Sequence, residues 1–234
     1  MRDASAVVMP AVGPNLPAAL IDNSDPKLVQ VTGAGVDRLD EPALKRLGIP
    51  VANVPGGSND AVAEYVVTAA SMLLRRLAWS GEEVRAGRYK EFRAAMLAEN
   101  LAGLHGLTVG IVGLGTIGLA VAKALRACDC RIVYYDPTPR DTQAVAALGA
   151  RSVKLDELLA ASDVVTIHVP LLPETQAMIG AAQLAKMRKE AILINAARGG
   201  IVDEVALEEA LRSGRLGGAA VDVYAVEPPE TSNP

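Results

Sequence analysis

The sequence predicts an α/β protein built around a doubly wound parallel sheet. Short apolar runs alternate with helical patterns through the second half of the chain, as in strands joined by crossover helices. The run 163–167 lacks the alternation of a half-exposed strand, as expected when both faces of a strand are buried. A glycine-rich turn at 113–118 joins one such run to a helical pattern. These observations favour a parallel sheet with helices on both faces.

The predicted elements of the second half alternate regularly. Each apolar run predicts a strand, and each amphipathic stretch between two runs predicts a helix. The predicted strands are Leu107–Val112, Arg131–Tyr135, Arg151–Val153, Asp163–Val169, Ala191–Asn195 and Gly217–Asp222. The predicted helices are 116–127, 141–148, 155–161, 181–187 and 203–213. Ligands of such sheets bind at the carboxyl ends of the strands, so we expect the chemistry there.

The first half predicts a smaller set of strands and one short helix. The strands are predicted at Ala6–Met9, Leu28–Thr32 and Ile49–Asn53. A helix is predicted over Glu41–Leu47. Asp40 is a favourable N-cap for it, Pro42 fits its first turn and Gly48 ends it. Residues Asp60–Leu77 predict a long, mostly apolar helix, which must be covered nearly all round at a domain boundary or subunit interface.

The composition excludes several classes of protein. The 234 residues are 50% hydrophobic and 21% charged, with a net charge of −4, which argues against a binder of nucleic-acid backbones. No apolar stretch is long enough to span a membrane, and the N-terminus is a poor secretory signal. Cys128 and Cys130 are too close in sequence for a good disulfide, and we see no metal-ligand spacing. We therefore expect a cytoplasmic protein with reduced thiols and no metal.

A dinucleotide-binding fingerprint begins at Gly113. The run 113–118 reads Gly-Leu-Gly-Thr-Ile-Gly, follows a predicted strand and opens a predicted helix. In this motif Gly113 permits the tight turn, Gly115 lets a pyrophosphate approach the backbone and Gly118 lets helix and strand pack closely. The helix N-terminus offers free N–H groups and a positive dipole to the phosphates. This context favours a Rossmann-type cofactor site over a glycine-rich turn before an ordinary helix.

An acidic residue completes the fingerprint and indicates which cofactor is bound. Asp136 ends the next predicted strand, 23 residues after Gly113, where it can accept hydrogen bonds from a ribose diol. A 2′-phosphate would meet like charge there, so the sequence favours NAD over NADP. Arg140 follows shortly and keeps NADP open as the alternative.

Polar residues also follow three further predicted strands. They are His168, Arg198 and Asp222, with Glu227 a little later. The forked guanidinium of Arg198 suits a carboxylate ligand, although a surface arginine beside the next helix would have the same spacing. His168 fits either a strand-end histidine with internal hydrogen bonds or a ligand contact. Asp222 fits a loop cap equally well, and Glu227 fits an ordinary loop residue before two prolines.

Taken together, these motifs resemble the D-isomer-specific 2-hydroxyacid dehydrogenase family over nearly the whole chain. The segments that carry the resemblance are Gly33–Asp37, Asn53–Asn59 with Ala63-Glu64, Val109–Gly118, His168–Leu171, Asn195–Glu204, and Asp222–Tyr224 with Glu227-Pro228. The resemblance implies an NAD-binding Rossmann domain inserted into a flavodoxin-like substrate domain. Residues 1–58 would then be part of the substrate domain, and residues 59–234 the NAD-binding domain without its C-terminal end. The helix Asp60–Leu77 would lie at the dimer interface of the family, which implies a homodimer.

The resemblance further implies roles for single residues. Backbone amides near Ala34 and Gly35 would hold the substrate carboxylate, Arg198 would bind and polarise a 2-keto acid, and Glu227 would pair with a catalytic histidine. Thr116 stands where many relatives carry arginine, which removes one charged contact to the pyrophosphate. Together with the fingerprint, the residues implied in cofactor binding are Gly113, Gly115, Thr116, Ile117, Gly118, Asp136, His168, Val169, Pro170, Thr175, Ala196 and Asp222.

The implied reaction is interconversion of a 2-keto acid and a D-2-hydroxy acid by hydride transfer with NAD. The catalytic histidine of the family follows the Glu-Pro segment, and this chain stops at Pro234 before that point. The chain therefore resembles a family member shortened at both ends, for which we expect NAD binding but poor turnover, since a positioned general acid contributes about 10²–10⁴-fold. The alternatives are a non-catalytic NAD-binding regulatory protein and an inactive fragment. Which hydroxy acid is used stays open, with a small unphosphorylated acid favoured.

Overall fold

The chain folds into two units, residues 1–59 and residues 60–234. The computed structural model describes residues 4–11, 13, 15–17, 26–99, 101, 103–138, 142–231 and 233. Arg140, the residue because of which the sequence left NADP as an alternative cofactor, lies outside the described residues.

The smaller unit contains a parallel sheet of three short strands. They are β1 (Val7–Met9), β2 (Val29–Val31) and β3 (Val51–Ala52), paired in that order. Helix α1 (Glu41–Arg46) begins where the sequence predicts, because the side chain of Asp40 accepts a hydrogen bond from the backbone N–H of Ala43 at 2.9 Å. Val29, Val31 and Leu44 are buried between the sheet and this helix.

The long helix predicted over Asp60–Leu77 is wrong in extent. Helix α2 spans Asn59–Leu74, and α3 (Leu77–Arg85) and α4 (Tyr89–Ala98) follow it. Arg76 has a φ of 48°, and this left-handed conformation turns the chain between α2 and α3. The expected covering of α2 at a domain boundary or subunit interface stays a prediction. Only one stripe of α2, formed by Ala63, Val66 and Ala70, is buried.

The larger unit confirms the predicted parallel sheet. Its strands are β4 (Thr108–Val112), β5 (Arg131–Tyr135), β6 (Arg151–Ser152), β7 (Val164–Ile167), β8 (Ile192–Asn195) and β9 (Gly218–Val221). All pairs are parallel, and the strand order is β6-β5-β4-β7-β8-β9. The chain winds outward from β4 to β6 and then returns to place β7 on the other side of β4. The boundary between β4 and β7 is therefore the switch point at which doubly wound sheets bind ligands.

Helices cover both faces of this sheet. They are α5 (Thr116–Ala127), α6 (Thr142–Leu148), α7 (Leu155–Ala161), α8 (Ala181–Leu184) and α9 (Glu204–Arg212). One face packs its apolar side chains with α2 and α5, and the other with α7, α8 and α9. The last turn predicted for the 181–187 helix is not helical, and α8 ends at Leu184. No helix of the described part of the chain is long and apolar enough to cross a bilayer.

Candidate active site

Five strands of the large sheet stop at one level. Val112 of β4 is in register with Tyr135 of β5 and with Ile167 of β7. The register then continues from Ile167 to Asn195, and from Asn195 to Val221. The residues that follow these five strand ends are Asp136, Gly113, His168, Ala196 and Asp222. The structure therefore brings together, along one carboxyl edge, five of the residues that the sequence predicts to bind a ligand.

The glycines of the 113–118 turn have different reasons to be glycine. Gly113 has a φ of +92°, and a Cβ there would lie 2.7 Å from the carbonyl oxygen of His168. A Cβ on Gly118 would overlap the carbonyl oxygen of Gly113. A Cβ on Gly115 would meet no atom within 4 Å. Close packing therefore requires glycine at positions 113 and 118, whereas Gly115 faces open space.

Helix α5 presents unpaired N–H groups at that open space. Gly115 is its N-cap and makes no side-chain capping bond, and the first intrahelical hydrogen bond runs from the N–H of Leu119 to the Gly115 carbonyl. The N–H groups of Thr116, Ile117 and Gly118 precede this bond, so no carbonyl within the helix accepts from them. Such amides and the positive end of the helix dipole bind phosphates. The cradle therefore fits the pyrophosphate of a dinucleotide.

Asp136 is fixed by the turn that it follows. One carboxylate oxygen accepts from the N–H of Leu114 at 2.7 Å, and the other accepts from the N–H of Thr138 at 2.9 Å. The side chain is only half-buried. A carboxylate accepts more than one hydrogen bond on each oxygen, so Asp136 can also accept hydroxyl hydrogens of a ribose.

His168 lies beside the glycine turn with a buried ring. The backbone N–H of His168 donates to the carbonyl of Val112 at 2.7 Å. The ring atom Nε2 lies 2.9 Å from the hydroxyl of Thr166, a residue that is fully buried. Nδ1 is buried without a hydrogen-bond partner among the described residues. Burial lowers the pKa of His168 to about 4, so the ring is neutral at neutral pH. The imidazole is therefore a poor proton donor.

The loop after His168 is shaped by Thr175. Its hydroxyl donates to the carbonyl of Pro170 at 2.7 Å and accepts from the N–H of Leu172 at 2.8 Å. Val169 is buried, whereas Pro170 is exposed. In this structure Thr175 thus holds the loop, and Pro170 and the neighbouring backbone are the surfaces open to a ligand.

Arg198 lies on a loop that is shaped by a buried asparagine. Asn195 is 2% exposed. Its side-chain amide donates to the carbonyl of Arg198 at 3.0 Å, and its side-chain oxygen accepts from the N–H of Ala197 at 3.2 Å. The guanidinium of Arg198 donates to the carbonyl of Ala197 at 2.7 Å. The loop between β8 and α9 therefore has a defined shape, with a half-buried cation beside the carboxyl edge.

The segment after β9 carries two acidic side chains. The N–H of Asp222 donates to the carbonyl of Asn195 at 3.0 Å, and the side chain of Asp222 is exposed. The carboxylate of Glu227 accepts from the N–H of Tyr224 at 3.1 Å and closes the segment into a turn. Burial, and then the nearby charge of Asp222, raise the pKa of Tyr65 above its ordinary value. Tyr65 of α2 is therefore an additional polar residue at this end of the sheet.

Three features of this edge were not predicted from the sequence. They are the position of Tyr65 near Asp222, the hydrogen bonds of the Asn195 side chain to its loop, and the hydrogen bond of Glu204 to Ala225. The carboxylate of Glu204 accepts from the N–H of Ala225 at 2.7 Å and from the side-chain amide of Asn233 at 2.9 Å. Its only sequence signal was an acidic residue in a first helical turn, which is a common feature of helices. For Asn195, the signal was a polar residue at the end of an apolar run.

The smaller unit places Ala34 and Gly35 in the loop after β2. The carbonyl of Ala34 accepts from the side-chain amide of Asn53 at 2.8 Å, and the carbonyl of Gly33 accepts from the N–H of Val54 at 2.9 Å. The structure records no acceptor for the N–H groups of Ala34 and Gly35 within the described part of this unit. The loop that carries both amides is thus held by hydrogen bonds to the segment after β3.

The glycine turn, Asp136 and the parallel sheet together define a dinucleotide-binding protein. The sequence model of the family described as "D-isomer specific 2-hydroxyacid dehydrogenase, NAD binding domain" matches residues 67–234. The chain belongs to the D-isomer-specific 2-hydroxyacid dehydrogenase family. NAD is accordingly the cofactor of its larger unit.

Individual relatives agree with this membership. The chain is 40% identical over 208 residues to a D-3-phosphoglycerate dehydrogenase of Archaeoglobus fulgidus, covering 89% of this chain and 38% of that protein. It is 40% identical over 210 residues to a glycerate dehydrogenase of Methylorubrum extorquens, covering 89% and 64% respectively. The chain thus spans less than two thirds of the length of these relatives. An NAD-dependent formate dehydrogenase from Staphylococcus aureus, solved in complex with NAD, superimposes with a TM-score of 0.84 at 32% identity, covering 100% of this chain and 69% of that one.

Proposed function

We propose that this protein interconverts a 2-keto acid and a D-2-hydroxy acid with NAD as the hydride carrier. One observation supports this proposal most strongly. A single carboxyl edge of the sheet carries an open amide cradle at Gly115, the carboxylate of Asp136, and the strand ends that lead to Arg198 and Asp222. An anion site, a ribose acceptor and a cationic loop are the parts that a nicotinamide-dependent reaction on a carboxylate substrate requires.

In this proposal the cofactor lies along the edge from β5 to β9. The amides of Thr116 and Ile117 hold the pyrophosphate, and Asp136 accepts from the adenosine ribose. Val169, Pro170 and the loop that Thr175 shapes line the adenosine side, while Ala196 and Asp222 hold the nicotinamide carboxamide. When bound, NAD supplies or accepts the hydride. The chain's own contribution is to fix the nicotinamide end beside Arg198.

The substrate is proposed to bind through its carboxylate and keto groups. The guanidinium of Arg198 forms a bidentate pair with such groups, and the cation polarises the keto oxygen on which negative charge develops. Within the smaller unit, the amides of Ala34 and Gly35 are proposed separately as donors to an anionic group. Glu227 is proposed to pair with a catalytic histidine and to raise the pKa of that ring. Among the relatives, the names glycerate and 3-phosphoglycerate indicate small hydroxy acids, and we favour an unphosphorylated one.

The proposed organisation follows from the same assignments. We assign residues 59–234 to the NAD-binding domain and residues 1–58 to part of the substrate domain. The family resemblance and the exposed apolar side chains of α2, α3 and α4 support a homodimer formed through these helices.

A second candidate is a non-catalytic NAD-binding protein. The chain has two histidines. His168 is neutral, buried and hydrogen-bonded to Thr166, and His105 precedes β4 at the opposite edge of the sheet. Neither can deliver a proton beside Arg198. A polypeptide of these 234 residues should therefore bind NAD and a 2-keto acid but turn over slowly, because a positioned general acid contributes about 10²–10⁴-fold.

The test measures cofactor binding and substrate-analogue binding separately. NADH is titrated into the 234-residue protein, and oxamate, a non-reducible analogue of a 2-keto acid, is then titrated into the complex. We expect NADH to bind, oxamate to bind only with NADH present, and Arg198→Gln to abolish oxamate binding without changing the NADH affinity. Arg212→Gln, on the exposed face of α9, should change neither affinity. NADH binding without any oxamate binding would favour the non-catalytic candidate, and failure to bind NADH would exclude both.

A further inference from the structure

Two loops that carry proposed active-site residues are in direct contact. One is the Arg198 loop, residues 195–200, and the other is the Glu227 segment, residues 222–227. A Cβ on Gly199 would overlap the carbonyl group of Tyr224 and would crowd the N–H of Ala225. The backbones therefore touch at Gly199, and no larger residue fits there without moving one of the loops.

One carboxylate holds this contact from outside the two loops. Glu204, the first residue of α9, accepts from the N–H of Ala225 at 2.7 Å with one oxygen. Its second oxygen accepts from the side-chain amide of Asn233 at 2.9 Å. The helix itself is capped by a different residue, because the side chain of Asp203 accepts from the N–H of Ala206 at 3.1 Å. Glu204 is therefore not needed as a cap, and its carboxylate is directed to the Glu227 segment.

Further hydrogen bonds fix the backbone of the Arg198 loop and of the Glu227 segment on either side of their contact. On one side, the Asn195 side chain fixes the backbone of Ala197 and Arg198. On the other, the N–H of Tyr224, one residue before the bond to Glu204, donates to the carboxylate of Glu227. The bond at Ala225 thus lies between the contact with Gly199 and the turn that carries Glu227. Charge-assisted hydrogen bonds of this kind are among the stronger ones in proteins.

We propose that Glu204 is a positioning residue, whose carboxylate locks the Glu227 segment onto the Arg198 loop and so sets the placement of both side chains for the substrate. The expected effect on substrate binding rests on the proposed function. The hydrogen bond from Ala225 to Glu204 does not depend on that function and can be tested by itself. Without the carboxylate, the N–H of Ala225 loses its acceptor, and the segment is held to the Arg198 loop by the contact at Gly199 and by the hydrogen bond from the N–H of Asp222 to the carbonyl of Asn195.

The first measurement tests the lock without reference to function. Amide hydrogen exchange is followed in the parent protein, in Glu204→Ala and in Glu204→Gln. We expect the Ala225 amide to lose protection in Glu204→Ala and to keep most of it in Glu204→Gln, because the Gln side chain retains an acceptor oxygen. Glu209→Ala, which removes an exposed carboxylate from the same helix, should leave protection unchanged. Equal protection of Ala225 in the parent and in Glu204→Ala would overturn the inference.

The second measurement tests the consequence for the substrate site. In the NADH complex we expect Glu204→Ala to weaken oxamate binding by about tenfold or more, as for the loss of a hydrogen bond to a charged group. The NADH affinity and the thermal midpoint should stay close to those of Glu209→Ala, and Glu204→Gln should restore most of the oxamate affinity. A parallel loss of NADH affinity, oxamate affinity and thermal stability would show a merely structural role and overturn the inference. If the parent binds no oxamate while the exchange results hold, the proposed function fails and the lock stands.

Discussion

At the scale of single residues, Asp136 holds the glycine turn in shape and is also the proposed ribose acceptor. Its carboxylate accepts from the N–H groups of Leu114 and Thr138, and in the proposed site the same carboxylate also accepts from a ribose. Its importance for cofactor choice and its importance for the shape of the turn are therefore linked.

Substituting Asp136 should weaken NAD binding. We expect Asp136→Ala to reduce NADH affinity by about 10- to 100-fold, as for the loss of hydrogen bonds to a charged group. The ratio of NADH affinity to NADPH affinity should fall as well. Asp136→Asn keeps one acceptor oxygen for the turn but removes the charge. We therefore expect it to lose less NADH affinity than Asp136→Ala does, and its preference for NADH over NADPH should also be smaller than that of the parent. Fluorescence titrations with both cofactors measure this. Equal NADH affinities of Asp136→Ala and the parent would contradict the assignment.

Gly115 and Gly118 of the turn should respond differently to alanine. Gly115→Ala places its Cβ in open space and should cost less than about 1 kcal/mol of unfolding free energy, yet it should weaken NADH binding by narrowing the cradle. Gly118→Ala, whose Cβ would overlap the carbonyl oxygen of Gly113, should cost about 3 kcal/mol or more. Urea unfolding and NADH titration of both variants check this. If Gly115→Ala binds NADH as the parent does, the cradle is not the pyrophosphate site.

At the scale of secondary-structure elements, the pair α3 and α4 depends on one aromatic contact. The rings of Trp79 and Phe92 meet edge to face, with centroids 5.1 Å apart. Phe92 is the buried residue of α4, whereas α3 has none. These helices therefore have little other apolar packing to retain them.

Removing that contact should loosen the helices without opening the sheet. We expect Phe92→Ala to abolish the amide protection of α4, because local openings follow regions with few buried contacts. Protection of β4 and β7 should remain. Tyr89→Ala, at a position that is 56% exposed, is the matched control and should leave α4 protected. Hydrogen exchange with mass spectrometry distinguishes these outcomes, and unchanged protection of α4 in Phe92→Ala would refute the dependence.

At the scale of the whole molecule, the buried His168 makes stability depend on pH. Burial lowers the pKa of this ring to about 4, whereas a histidine in an unfolded chain titrates near about 6.5. Between these values the unfolded chain binds a proton that the folded chain does not, so stability falls as the pH falls. Above the unfolded pKa, this group contributes no pH dependence.

The expected loss through His168 is about 3 kcal/mol between pH 6.5 and pH 4. Urea unfolding at a series of pH values measures it. His168→Gln should show a correspondingly shallower slope in this window, while His105→Gln, which changes an exposed ring, should keep the slope of the parent. Identical slopes for His168→Gln and the parent would show that the ring is not held neutral by the fold.

Association is the other property of the whole molecule that the surface predicts. Met72, Leu77 and Leu97 on α2, α3 and α4 are 44%, 51% and 68% exposed, and apolar side chains in this number favour burial against a partner. We expect the protein to sediment as a dimer and Leu97→Glu to sediment as a monomer. Val205→Glu, at a 69% exposed position on α9, should remain dimeric. A monomeric parent, or equal behaviour of the two variants, would count against an interface on these helices.

The sequence by itself was sufficient to predict the parallel sheet and the family. Helices α5 and α7 and strand β5 have the predicted bounds, because buried strands and their crossover helices carry strong periodic patterns. The glycine turn and Asp136 could be identified because a tight turn, a close ligand approach and a ribose acceptor each demand a particular residue at a particular spacing. The end of the long helix before Arg76 could not, since Arg76 adopts a left-handed conformation although it is neither glycine nor asparagine.

Only the tertiary structure decided which side chains hold the site in shape. Thr175 appears in sequence as a ligand contact, but its hydroxyl is used by its own loop. Glu204 appears as an acidic residue in a first helical turn, but its carboxylate reaches Ala225, 21 residues along the chain. Local sequence determines which residues can form strands, helices and tight turns, because those choices depend on near neighbours. Contacts between loops that follow different strands depend on strand order and register, and these are properties of the folded sheet.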